Sequence, residues 1–192
     1  MQNRFFLGFK KRGVLIVGVS VLVSLMSIWF SPAANAHLLL PPYHKTVIIV
    51  RHAEKVDPSP LNDDLVPLSS DGFARAETLR EVMANSGVSA IYVTQKLRTR
   101  QTAQPLATLR GIVPIQVNTG NESNLIKKVR ASTSKVILIV AHSDTVSVIV
   151  AGLGGGVVTV GNEFDNLFVL TLTSPLNNSK ARLIKATYGA PR

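Results

Sequence analysis

The chain has 192 residues, of which 46% are hydrophobic and 17% are charged, with a net charge of +10 and no cysteine. This is the composition of a globular protein and excludes a disordered or fibrous chain. Without cysteine there is no disulfide, no thiol nucleophile and no cysteine metal site. The positive charge is compatible with anionic substrates, and the lack of a dense basic run beyond residue 12 argues against nucleic acid as a partner.

Residues 1–36 have the three parts of a secretory signal. Basic side chains between Arg4 and Arg12 precede an uncharged stretch over residues 14–30, and an Ala-Asn-Ala site ends at Ala36. We therefore predict a signal peptide that is cleaved after Ala36, and a periplasmic or secreted product. Left uncleaved, the same segment would anchor the chain in a membrane with its basic end inside.

Cleavage would leave 17 basic and 11 acidic residues, a net charge of +6, on residues 37–192. Residues 37–45 are rich in proline and are predicted to form an extended lead-in. The remaining stretch, residues 46–192, has the length of a single domain.

The first strand is predicted from the β-branched run of residues 47–50. Such a run is typical of a central parallel strand that is buried on both faces. It ends abruptly in Arg51 and His52. Open α/β sheets bind ligands at the carboxyl ends of their strands, so these two side chains are expected at the mouth of a crevice.

The rest of the chain alternates helical and strand patterns. After a loop at residues 56–68, apolar spacing predicts a helix that is stopped by Gly87. The following elements are, in order, strand 90–93, a helix beginning in residues 94–103, strand 112–117, a helix around residues 125–129, strand 135–140, a helix ending at Gly152, and closing strands 167–172 and 181–187. This order predicts a mainly parallel sheet with an antiparallel edge and helices on both faces.

Three buried strands end in polar groups that should converge. Arg51 and His52 follow the first strand, Thr94 leads to Arg98 after the second, and His142 follows the strand at 135–140. Two arginines and two imidazoles make an anion site, because guanidinium forks match phosphate oxygens. With no cysteine and no nucleophile-elbow serine, the best nucleophile is a histidine, which is substantially neutral at pH 7 since an unperturbed imidazole titrates near ~6.5.

These segments resemble the histidine phosphatase superfamily, the phosphoglycerate-mutase-like proteins. Residues 50–55 (Val-Arg-His-Ala-Glu-Lys) resemble its Arg-His-Gly/Ala opening, residues 94–103 resemble its Arg and Gln-Thr-Ala segment, and residues 141–145 resemble its later His segment. The matches run in the right order over most of residues 46–187. The resemblance implies a three-layer α/β/α sandwich and a hydrolase of small phosphorylated substrates that needs no metal or other cofactor.

The resemblance also implies roles for individual residues. His52 would be the nucleophile and form a phosphohistidine, and Arg51, Arg98 and His142 would hold the phosphoryl oxygens. The proton donor departs from the family pattern, because the corresponding region holds a single acid, Glu122.

Two carboxylates therefore remain as candidates for the proton donor. Glu122 is the first, although its charge would equally suit the start of a helix. Asp144 is the alternative, and it would equally suit a helix cap. Glu54 and Lys55 are expected at the rim of the crevice, where they could touch substrate.

Three other functions stay open at this point. One is a phosphate-binding module of the same fold that turns over weakly or not at all, although both histidines and both arginines are present. Another is a phosphomutase, which the uncertain acid weakens most. The third, a histidine metal site, would have only His52 and His142 as convergent ligands beside repelling arginines.

Overall fold

The computed structural model describes residues 44–173 and 181–190, and in them a six-stranded sheet carries four α-helices. The strands are β1 His44–Arg51, β2 Ala90–Val93, β3 Ile115–Gln116, β4 Val136–Ala141, β5 Asn166–Thr173 and β6 Arg182–Thr187. The helices are α1 Ser70–Met83, α2 Leu97–Arg110, α3 Glu122–Ala131 and α4 Ser143–Gly152, and a single 3-10 turn spans Asp63–Leu65.

The strands lie in the order β3-β2-β4-β1-β5-β6. The first four of these are mutually parallel, while β5 and β6 are antiparallel and close one edge. This confirms the mainly parallel sheet with an antiparallel edge. Strand β1 is paired on both sides, by β4 and β5, which explains why its sequence is an unbroken β-branched run.

The strand register places the predicted polar groups at the same level along the strand direction. Arg51 pairs with Ala141 across β1 and β4, so His52 and His142 leave the sheet side by side. Tyr92 pairs with Ile139, which places Thr94, two residues later, level with Ala141. The carboxyl ends of three adjacent strands therefore meet at one edge of the sheet.

Helices cover both faces of the sheet, which confirms the three-layer sandwich. On one face Val47 and Ile49 pack in a core with residues of α3 and α4, such as Val146. On the other face Ile48 and Val50 share a core with α1 and α2. The alternation of side chains along β1 divides its four apolar residues equally between the two cores.

Strand β1 begins at His44, so the last two residues of the predicted lead-in belong to the sheet. The side chain of Lys45 is fully buried, and its Nζ donates to the carbonyl oxygens of Val129 at 2.6 Å and Ser132 at 2.7 Å. An ammonium at the end of a helix satisfies carbonyls that have no partner within the helix. Lys45 thereby closes the C-terminal end of α3.

The third strand is shorter than the sequence predicts, Ile115–Gln116 instead of residues 112–117. The N–H of Ile112 donates at 2.9 Å to the carbonyl of Ala107, so it completes the end of α2. Pro114 then has no N–H to give to a ladder. Only two residues remain for pairing with β2.

The predicted signal segment, residues 1–36, lies outside the described residues. Over residues 44–173 and 181–190, no helix combines the length and the apolar composition that a membrane crossing requires.

Candidate active site

Two histidines and one arginine are buried together where β1 and β4 end and α2 begins. His52 is 4% exposed, His142 6% and Arg98 6%. The two imidazole centroids are 5.2 Å apart, and their planes meet at 61°. The structure thus brings together the side chains that the sequence placed at three separate strand ends.

The contacts of His52 fix its tautomer. Its Nδ1 lies 2.8 Å from the carbonyl oxygen of Ala53, which can only accept, so the ring proton is on Nδ1. Its Nε2 accepts a hydrogen bond of 3.2 Å from the Nε–H of Arg98, which can only donate. The Nε2 lone pair of His52 is therefore unprotonated and directed to the guanidinium side of the crevice.

Both imidazoles are held neutral. Burial is the main cause that lowers the pKa of His52 to about 3; the Ala53 hydrogen bond opposes it, and the charges of His142, Arg98 and Arg51 act in the same direction as burial. Burial, followed by the charges of Arg98 and Lys96, lowers the pKa of His142 to about 4. At neutral pH neither ring carries a proton that would remove its nucleophilic lone pair.

A threonine orients His142. The Nε2 of His142 lies 3.0 Å from the Oγ1 of Thr94, and that oxygen is 3.1 Å from the Oγ1 of Thr99. The backbone N–H of His142 donates at 3.0 Å to the hydroxyl of Thr145 in the first turn of α4. The ring is therefore tied both to the end of β2 and to the helix that follows it.

Arg51 has a buried donor that no described residue satisfies. Its NH1 donates at 2.7 Å to the carbonyl of Asn162, and its guanidinium lies 3.9 Å from the ring centroid of Phe164. Its Nε is buried and has no hydrogen-bond partner among the described residues. A buried donor without a partner is costly, and an anion beside His52 would satisfy it.

Residues 47–122 match the family model of the histidine phosphatase superfamily, branch 1. The fold is that of this superfamily. The predicted resemblance to this superfamily is confirmed, and the match contains two of the three motifs, residues 50–55 and 94–103.

Solved structures of the superfamily share this fold at low sequence identity. The protein histidine phosphatase SixA in complex with tungstate is 17% identical, with a TM-score of 0.61 over 74% of this chain and 96% of that chain. A candidate phosphohistidine phosphatase SixA from Agrobacterium tumefaciens is 21% identical, with a TM-score of 0.57 over 77% and 99%.

A mycobacterial glucosyl-3-phosphoglycerate phosphatase in complex with VO3 is 13% identical, with a TM-score of 0.53 over 76% and 99%. No curated protein matches the chain.

Glu54 is committed to the fold and is not a free rim group. Both of its carboxylate oxygens accept from Arg75, at 2.8 to 3.0 Å, and the two side chains are only 12% and 4% exposed. Arg75 also donates to the carbonyl of Tyr188 at 3.0 Å. The structure thus places Glu54 in a buried ion pair, and its contact with substrate stays a prediction. Lys55 is partly exposed and pairs with Asp57 at 3.3 Å.

The two candidate acids differ in their surroundings. Glu122 is the first residue of α3, and its Oε1 accepts from the N–H of Gly120 at 2.9 Å. It lines the same cleft as Thr94, the threonine that touches His142. Asp144 is exposed in the first turn of α4, and its charge acts to raise the pKa of His142. Neither carboxylate is among the hydrogen-bond partners of the histidines in the described residues.

Sequence reasoning missed two charged residues at the site, Asp63 and Lys96. A carboxylate oxygen of Asp63 contacts both the Nζ of Lys96 and, at 3.3 Å, the NH2 of Arg98. These two cations hold the pKa of Asp63 down to about 2, so its carboxylate is ionised. Asp63 lies in a segment with only loop signals, and nothing in its pattern indicates that it folds onto α2.

The described residues contain no group of three His, Asp or Glu side chains that could hold a metal ion. His52 and His142 have guanidinium groups as neighbours, and these repel a cation. The arrangement is instead suited to an anion with several oxygens.

Proposed function

We propose that the chain is a phosphomonoester hydrolase that works through a covalent phosphohistidine at His52 and uses no metal. One observation carries the proposal: the unprotonated Nε2 of His52 lies 3.2 Å from the Nε–H of Arg98 while the ring proton is held by Ala53. The superfamily match supports a phosphatase and a small phosphorylated substrate.

In the first step a phosphoryl oxygen takes over the Nε–H of Arg98, which frees the Nε2 lone pair of His52. That lone pair attacks phosphorus in line, the N–P bond forms and the P–O bond to the leaving group breaks. The imidazole becomes cationic, and its proton stays on Nδ1, which donates to the Ala53 carbonyl. The Nε of Arg51, the guanidinium of Arg98 and His142 hold the three remaining oxygens. Water then attacks phosphorus, the N–P bond breaks, and His52 leaves as neutral imidazole.

Several cationic donors are needed for this reaction. Phosphate-monoester hydrolysis is among the slowest uncatalysed reactions, with enzymatic accelerations up to ~10²¹. One well-placed donor contributes only about 3–4 kcal/mol. A fixed nucleophile combined with two guanidinium groups supplies several such contributions at once.

The leaving oxygen requires a proton unless the leaving group is good. The two candidate donors are Glu122, which shares a cleft with Thr94, and Asp144, whose charge acts on His142. A second candidate function follows from the fact that neither acid contacts the histidines. It is the hydrolysis of a phosphoramidate such as phosphohistidine, whose imidazole leaves easily. SixA, a structural relative, is named a protein histidine phosphatase.

Trapping the adduct tests the proposal. Rapid quenching with a labelled phosphomonoester should give an acid-labile, base-stable adduct that is absent in His52→Ala. His44→Ala is the matched control, because His44 is an exposed histidine at the start of the strand that His52 follows. Tight vanadate binding with neither adduct nor turnover would instead indicate a binding module, and chelator-sensitive turnover without adduct would indicate a metal enzyme.

Two substrates of different leaving-group quality identify the acid. The substitution of the true donor, Glu122→Gln or Asp144→Asn, should slow hydrolysis of the poor leaving group much more than that of the good one. If neither substitution shows this difference, the phosphoramidate hydrolase becomes the better assignment.

We further propose that the protein is exported. The support is the basic, apolar and Ala-Asn-Ala pattern of residues 1–36. Mass measurement of the protein from the exported fraction should give a chain that begins at His37. A chain that retains Met1 in the membrane fraction would make the segment an anchor.

A further inference from the structure

The site carries a carboxylate of its own, that of Asp63. One oxygen, Oδ1, lies 3.2 Å from the NH1 of Arg98, and the other, Oδ2, lies 3.3 Å from its NH2. The same Oδ2 contacts the ammonium of Lys96. A further bond of 2.7 Å joins the NH1 of Arg98 to the backbone carbonyl of Asp63. The outer edge of the guanidinium is thus occupied by one residue of the loop.

This is the arrangement that a phosphoryl group would make with the same cations. Two oxygens of one anion face the guanidinium fork, and one of them also meets an ammonium. The inner edge of the guanidinium, at Nε, faces the His52 nucleophile at 3.2 Å. Arg98 therefore has the internal carboxylate on one side and the reacting nitrogen on the other.

The carboxylate of Asp63 covers Lys96 and Arg98 on the side that faces solvent. The side chain of Asp63 is 57% exposed, whereas those of Lys96 and Arg98 are 18% and 7% exposed. A group at the surface can move out without disturbing the core, and the two cations beneath it are then open to an incoming anion. The backbone N–H of Lys96 donates at 3.3 Å to the Oγ1 of Thr94, which lies 3.0 Å from the Nε2 of His142, so Lys96 lies beside the two histidines.

We propose that Lys96 is a further phosphate-binding residue, and that Asp63 is an internal competitor which occupies Lys96 and Arg98 until a phosphoryl group displaces it. This rests on the proposed function, because the displacing anion is the phosphoryl group bound at His52. Lys96 thus joins the two arginines and His142 as a ligand of the substrate oxygens.

The competition has a definite sign. The observed affinity for an anion is the intrinsic affinity multiplied by the fraction of molecules in which the cations are free. Removal of the Asp63 charge increases that fraction and must therefore tighten anion binding. Exposed ion pairs are individually weak, and we expect a gain of about 3- to 10-fold. If Asp63 instead holds Arg98 in its active position, the same substitution weakens binding.

Vanadate titration of the mature chain distinguishes the two. Asp63→Asn should bind vanadate about 3- to 10-fold more tightly than the wild type and lower KM by a similar factor. Asp64→Asn is the matched control, because it makes the same change of charge one residue away. Asp64 lies 3.9 Å from Lys96, and no contact with Arg98 is found for it among the described residues. A gain in Asp64→Asn as large as in Asp63→Asn would show that the effect comes from net charge or from Lys96 alone and not from the Asp63–Arg98 contact, and would overturn the competitor role.

A second substitution tests Lys96 separately. In the Asp63→Asn background, Lys96→Met should weaken vanadate binding at least several-fold, and Lys96→Arg should keep most of it. Equal affinity of Asp63→Asn and Asp63→Asn/Lys96→Met would overturn the role of Lys96. Weaker binding in Asp63→Asn than in the wild type would overturn the competitor role alone. A wild-type chain that binds no vanadate, or binds it equally well after His52→Ala, would overturn the proposed function as well.

Discussion

The substitution Arg75→Met tests whether the loop behind the nucleophile is held by a buried ion pair. Arg75 is 5% exposed on α1 and holds both oxygens of Glu54, which follows His52 by two residues. Its NH1 and NH2 also donate to the carbonyls of Tyr188 at 3.0 Å and Ala190 at 2.9 Å, which join the end of the described chain to this loop. Methionine removes all of these bonds at nearly constant volume.

Removal of one partner of a buried ion pair costs about 3–5 kcal/mol, because the other charge is left uncompensated. The loss would be a large part of the stability of a domain of this size, which is typically about 5–15 kcal/mol. Since one kcal/mol shifts Tm by about 2–4 °C in proteins of 150–250 residues, we expect Tm to fall by about 6–20 °C.

Urea unfolding and a thermal melt measure the effect, with Arg80→Met as control. Arg80 lies on the same helix and pairs with Glu77 and Glu81, but both of these partners are more than half exposed. Its loss should leave the free energy of unfolding close to that of the wild type. If Arg75→Met is as stable as Arg80→Met, the pair does not hold the loop, and Glu54 regains its place as a candidate substrate contact.

Three further predictions concern the same site. Gly72→Ala should destabilise the protein by about 1–3 kcal/mol in urea unfolding, because an added Cβ would lie 2.1 Å from the carbonyl oxygen of Glu54; a wild-type stability would contradict this close approach. Thr94→Val should cost about 1–3 kcal/mol and weaken vanadate binding, since the buried Nε2 of His142 loses its partner, while Thr94→Ser should retain both properties; equal behaviour of the two variants would show that the hydroxyl is unimportant. The pKa values of His52 and His142 are lowered to about 3 and about 4 in the native protein. Below pH ~6.5 the unfolded chain therefore binds protons on these histidines that the native protein does not bind. The free energy of unfolding should consequently decrease as the pH is lowered from ~6.5 to about 4. Urea unfolding of His142→Gln at the same pH values should show a shallower fall, and an identical slope would indicate that His142 is not buried as a neutral ring.

The architecture could be predicted because each central strand has a recognisable pattern within its own few residues. Strands β1 and β4 are runs of β-branched and aliphatic residues with charge directly after them, and such runs are readable without knowledge of the rest of the chain. The convergence of His52, Arg98 and His142 follows from the same patterns, once the strands are parallel neighbours. The boundaries were less readable, because Lys45 counts as a charged residue until its three carbonyl partners at the end of α3 are known.

The missed part of the site depends on contacts between distant residues. Asp63 and Arg98 are 35 positions apart, and Glu54 and Arg75 are 21 positions apart, so no periodicity connects the partners. The loop that carries Asp63 is positioned by individual hydrogen bonds to other elements. One of them, of 2.8 Å, runs from the N–H of Leu68 to the Oε1 of Gln101. The family motif does include Gln101, but its role in placing the loop is visible only in three dimensions.

The electrostatics of the site support the proposal that His52 serves as nucleophile between two guanidinium groups. In the free protein a protonated His52 would be buried beside Arg51 and Arg98, and this repulsion together with burial keeps the ring neutral. When a phosphoryl group binds, its negative oxygens offset the guanidinium charges, and the imidazole that becomes cationic by attacking phosphorus no longer meets an uncompensated positive field. The same two arginines therefore disfavour a proton on Nε2 and favour a phosphoryl group there. A carboxylate that binds one of them, as Asp63 does, offsets part of the same positive charge, and a phosphoryl group that displaces it puts a larger negative charge in its place, beside the imidazole that becomes cationic.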